Sequence, residues 1–129
     1  MNTKETEIKL LDIQIIGTII YILSLFISYL LTYNDKYEAV NGKPWLNKKF
    51  SRNISVGNRV IVLILTIIFL YVNYKNFNLA RQKKSENLSA FRLQITASEL
   101  SVVAAIIVLY TVLTSGEYSI VAGAENPNL

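Results

Sequence analysis

The stretch LLDIQIIGTIIYILSLFISYLL, residues 10–31, decides how the chain is read. It carries one charge, Asp12, in 22 residues, and a hydrocarbon core about 30 Å thick needs about 20 apolar helical residues to cross it. Two further stretches of similar character follow, at residues 54–74 and 97–115, separated by short polar segments rich in Lys and Arg. The expected fold is all-α, an up-down-up bundle of three transmembrane helices, forming a single domain over residues 1–129 with a short C-terminal tail from 116.

Composition agrees. Hydrophobic residues make up 52% of the chain, charged residues 17%, and mean hydropathy is +0.36. The connecting segments are too short and too charged to bury a core of their own. The first stretch exceeds the 7–15 apolar residues of a secretory signal and runs to Tyr33-Asn34-Asp35 without an Ala-x-Ala-like site, so it is expected to be retained as a helix. Abundant Ile, Asn and Lys fit an AT-rich coding background, hence a bacterial inner membrane.

The net charge of +4 does not point to nucleic acid, because the basic residues sit in loops beside the spans rather than in one stripe. Attraction to anionic lipid headgroups accounts for them. Without Cys or His, thiolate chemistry and the usual zinc and haem ligands are excluded. No catalytic, cofactor-binding or metal-binding constellation is present, so the expectation is a protein that is not an enzyme and carries no cofactor.

Asp12 is expected to cap the first helix, with Tyr29, Tyr33 and Tyr37 forming an aromatic belt at its far end. Asn41-Gly42 signals a turn, followed by an irregular or briefly helical interfacial piece with Trp45 and Phe50 towards lipid. Asn58 and Arg59 fall in the first turns of the second span. The run Arg81 to Asn87 reads as a solvated turn, and Gly116 as the terminator of the third helix. Asn53-Ile54-Ser55 and Asn87-Leu88-Ser89 match glycosylation acceptors but are given no role.

Three stripes recur at helical spacing: Gln14, Gly17, Tyr21, Ser24, Ser28 and Thr32; Arg59, Val62, Thr66, Phe69 and Asn73; and Ala97, Ser101, Ala104, Val108, Thr111 and Ser115, with Ser101 and Ala105 also a small-xxx-small pair. Small and hydroxyl side chains let helices approach and hydrogen-bond in lipid, where apolar burial supplies no attraction between them. Gly17, Ser24, Ser28, Thr66, Asn73, Ser101, Ala104 and Ala105 are therefore the candidate packing residues, and all three stripes are expected to meet. Asp12, Arg59 and Glu99 are the candidate ionisable residues, each read as lying within a turn or two of a membrane surface.

Lys and Arg are nearly balanced across the membrane, seven against six, which also admits dual insertion. Around the third span the contrast is sharp: Arg81, Lys83, Lys84 and Arg92 precede it and none follows. The positive-inside tendency places the N-terminus in the cytoplasm and the C-terminus outside.

The strings Leu11-Asp12-Ile13-Gln14-Ile15-Ile16-Gly17 and Ala104-Ala105-Ile106-Ile107-Val108-Leu109-Tyr110, with Tyr118-Ser119-Ile120 and Glu125-Asn126-Pro127, resemble uncharacterised small three-span membrane proteins of low-GC Gram-positive bacteria. That resemblance implies no activity. SWEET-type half-transporters carry a Pro-Gln pair missing from the first span, and holins a basic tail missing from the end. Small multidrug transporters have a fourth span and a deeper acidic residue. The function expected is an interaction or accessory subunit, self-associating or packed on a larger membrane partner. An oligomeric channel or small-solute transporter comes second and a holin-like pore third. A hydrated path would need several copies, because three helices cannot enclose one while keeping their backs to lipid.

Overall fold

The computed structural model describes residues 3–83 and 88–115, which form three helices: α1 (Thr3–Asn41), α2 (Lys48–Gln82) and α3 (Leu88–Ser115). Each is long and apolar enough to cross a membrane. At 1.5 Å per residue, α1 and α2 are about 58 and 52 Å long, so both extend past a hydrocarbon core of about 30 Å. The expected end at Gly116, the tail beyond it and residues 84–87 of the polar turn lie outside the described residues.

α1 begins nine residues before Asp12, so Asp12 is not its cap; it stands exposed on the helix surface. At the other end Gly42 adopts φ +77° and its N–H donates to Glu38 O at 2.8 Å, closing the helix as a left-handed residue does. Residues 42–47 are irregular, as expected. Asn47 then caps α2, its side chain accepting from the Lys49 N–H at 2.9 Å. Trp45 is exposed and meets Tyr33 edge-on at 6.4 Å, and Phe50 is exposed on the first turn of α2.

The helices run antiparallel in sequence order, and α2 is the spine. It packs against α1 on one side and α3 on the other, whereas among the described residues α1 and α3 make no close backbone approach to each other. The expectation that all three stripes meet is therefore corrected: two two-helix interfaces share α2. Polarity is arranged for lipid. Apart from Gly17, buried positions divide evenly, nine apolar and nine polar or charged among the described residues, while Ile15, Ile19, Phe26, Ile64, Ile67, Leu100, Ile106 and Leu113 face outward. A water-soluble protein hides its large aliphatic side chains; here they form the outer surface.

Candidate functional site

The α1–α2 interface is built from small and polar residues. Gly17, Ser24, Ser28, Leu31 and Asn34 form the buried stripe of α1, and Ser51, Ser55, Asn58, Val62, Leu65 and Thr66 face it from α2 or flank the contact. Gly17 lets the Phe69 ring lie against the backbone: a Cβ there would stand 2.9 Å from two ring carbons. Further along, Ser24 Oγ donates to Asn58 Oδ1 at 2.5 Å, and Asn58 Nδ2 donates to Ser28 Oγ at 3.0 Å. Near the loop, the Leu46 N–H donates to Asn34 Oδ1 at 2.7 Å and Asn34 Nδ2 to Ser51 Oγ at 3.4 Å. Amides carry both donors and acceptors, so one Asn joins two partners at once.

These contacts set the depth of Asn58 and Arg59. The apolar part of α1, residues 13–31, is centred on Ile22; Ser24 and Ser28 lie about 3 and 9 Å from it along the axis. Asn58, bonded to both, is thus inside the hydrocarbon half-thickness of about 15 Å. Arg59 adjoins it and is only 3% exposed. α2 begins at Lys48 rather than near 54; Arg59 stays within about two turns of the membrane edge but is enclosed by the helices rather than set on their outer surface. Asp12 and Glu99, by contrast, are both exposed.

Across the α2–α3 interface Asn73 Nδ2 donates to Ser98 Oγ, and at the opposite end Arg52 Nη2 reaches Leu113 O at 3.5 Å. The stripe of α3 that meets α2 is Ser98, Ala105, Val108 and Val112. Ala105 and Val108 were expected there; Ser101 and Ala104 flank the contact half-buried and Ala97 is exposed, so the rest of the expected stripe is turned by one residue. Ser101 Oγ instead donates to Ala97 O at 3.0 Å. Ala105, 2% exposed, is the tightest small residue on α3. Ala105→Leu is expected to lower the temperature of aggregation in detergent more than Ala104→Leu, and both more than Glu99→Gln or Asp12→Asn, because leucine meets a closed contact at 105 and a half-closed one at 104, whereas Glu99 and Asp12 are exposed. Equal melting of all four variants would contradict that order.

Because α1 and α3 stand apart on either side of α2, a cleft of about 600 Å³ opens between them. Gln14, Thr18 and Tyr21 of α1, Thr66, Phe69, Asn73 and Asn76 of α2, and Gln94, Ser98 and Ser101 of α3 line it. Its polar groups are amides and hydroxyls, none ionised at neutral pH. Gln14, Thr66, Asn73, Ser98 and Ser101 belong to the apolar stretches, so much of this polar wall lies at membrane depth. Sequence reasoning placed Gln14, Thr66, Asn73 and Ser101 on contact faces; Asn34, Ser51, Asn58 and Ser98 were missed as contacts, although Asn58 and Ser98 each stand three or four residues from a member of a stripe. No known protein family, curated protein or solved structure matches the chain.

Proposed function

We propose that this small multi-pass membrane protein is a non-enzymatic assembly subunit, and that a helix from a second copy fills the cleft between α1 and α3. The polar wall of that cleft at membrane depth supports the reading most directly. The Thr18, Thr66 and Ser101 hydroxyls donate to carbonyls of their own helices and Asn73 donates to Ser98, but each group keeps acceptor capacity that lipid tails cannot meet, so covering them with another helix is favourable. A second copy fits because amides and hydroxyls both donate and accept, making the surface self-complementary across a two-fold axis, with no charge to repel its mate. Ala97, Ser101 and Ala104 also keep α3 slim along the cleft margin. Mass measurement in mild detergent is expected to give a dimer, and leucine at Gln94 and Ser101 to shift it to monomer while helicity is kept. A monomeric parent would sink the self-association reading, and a stoichiometric foreign membrane protein would replace the second copy as occupant.

A second reading has one observation in its favour. A cleft of about 600 Å³ with this lining has the volume and polarity to take a small uncharged polar solute. Solute uptake by vesicles containing the parent, abolished by Asn73→Leu and Thr66→Val, would move the protein to the channel or transporter class. The proposed placement is the cell membrane, with the loop at 42–47 outside and the end carrying Lys75, Arg81, Lys83 and Arg92 in the cytoplasm. In intact cells an impermeant thiol reagent is expected to label Lys43→Cys and spare Ser89→Cys. Labelling of both would indicate dual insertion, and the reverse pattern an inverted protein.

A further inference from the structure

At the end of the molecule where α1 starts and α2 finishes, a second cavity of about 580 Å³ is lined by Thr3, Thr6, Lys75, Asn78, Leu79, Arg81 and Gln82. Two cations, two hydroxyls and two amides face this space, and no carboxylate lines it. Both cations are steadied by rings: Lys75 Nζ lies 5.7 Å from the centre of Tyr71, and the Arg81 guanidinium 5.8 Å from that of Phe77. Arg92 of α3 reaches the same Phe77 ring at 5.8 Å, bringing a third positive charge to that ring. The nearby acid Glu7 is paired with Lys83, outside the lining. Lys75 directly follows Tyr74, where the apolar run of α2 ends, and Arg81, although about 9 Å further along the axis, turns its guanidinium back over Phe77, which is about 3 Å past Lys75. The headgroup layer beyond each edge of the hydrocarbon is about 5–8 Å deep.

We propose that this cavity is a binding site for the headgroup of an anionic phospholipid of the phosphatidylglycerol type. The phosphate sits between Lys75 and Arg81, and the hydroxylated head meets Thr3, Thr6, Asn78 and Gln82. The charge calls for phosphate, the uncharged lining for a hydroxyl-bearing head rather than a second anion, and the depth for a lipid rather than a solute. The site is independent of whether the protein self-associates. Cations fixed over rings bind with less loss of side-chain freedom than free surface lysines do.

Native mass spectrometry of the full chain, titrated with phosphatidylglycerol or phosphatidylcholine, tests this. The parent is expected to retain phosphatidylglycerol preferentially. Lys75→Gln with Arg81→Gln should weaken that retention about thirtyfold, from about fivefold per cation. Lys36→Gln with Lys43→Gln, at the opposite end, should leave it within about twofold, as expected for charges remote from the site. Asn78→Asp keeps both cations, adds a negative charge to the cavity and should also release the lipid, which covers the case of a double variant that does not fold. Equal retention of the two lipids by the parent, or equal losses in the two double variants, would overturn the proposal. Inorganic phosphate displacing the lipid at millimolar concentration would overturn the lipid and assign the site to a soluble phosphate.

Discussion

Gly17→Leu is expected to separate α1 from α2. The Phe69 ring already lies within 2.9 Å of where a single β-carbon would be, with Leu65 at 3.9 Å behind it, so a four-carbon side chain has no room unless the helices part. Overpacking of this kind costs about 1–3 kcal/mol, and in lipid the loss is not recovered by apolar burial elsewhere. Gly17→Ala should be much milder, because the atoms it meets are the far end of a ring that can tilt. Adding Phe69→Ala to Gly17→Leu should recover much of the lost stability. Thermal aggregation in mild detergent reads all three, and failure of the second substitution to rescue the first would show that Gly17 matters for some reason other than the ring.

The second large effect is expected at Asn58, which is 2% exposed and joins Ser24 to Ser28. Asn58→Leu removes both bonds and inserts a bulkier apolar group between two seryl hydroxyls. A loss of about 1–2 kcal/mol is expected, toward the upper end of what interhelical hydrogen bonds contribute in membranes. It stays moderate because a serine in a helix can turn its hydroxyl to the carbonyl four residues before it. A double-mutant cycle with Ser24→Ala isolates the coupling. Additive losses would mean that the 2.5 Å contact contributes shape and not hydrogen bonding.

The number of helices, their order and their membrane environment were legible because apolar length and the spacing of small residues report directly on them. Gly17, Ser24 and Ser28 were found for the same reason. Helix ends were not legible, since apolar content marks where a helix meets lipid and says nothing of how far it continues into water; α1 and α2 both continue. Nor does apolar content show that Arg59 is enclosed by neighbouring helices rather than set on their outer surface. Asn58 was overlooked because a polar residue beside an arginine resembles a boundary, whereas here its partners on α1 carry it inside. The stripe on α3 was displaced by one residue because Ala97, Ser98 and Ser101 are all small, so side-chain size alone does not fix the helix's rotation. The cleft was illegible for another reason: three amphipathic stripes are equally compatible with mutual contact and with a shared central helix.

That shared central helix has a consequence for how the protein is made. Among the described residues every close backbone approach between helices joins neighbours in chain order, so α1 and α2 can pair without waiting for a more distant segment. As α2 enters the bilayer, α1 is already there to receive Asn58 and the Phe69 ring, and the hairpin can close while α3 is still inside the ribosome. α3 then docks on a finished surface. Such an order would let the polar side chains shared by neighbouring helices be met in the order in which they emerge.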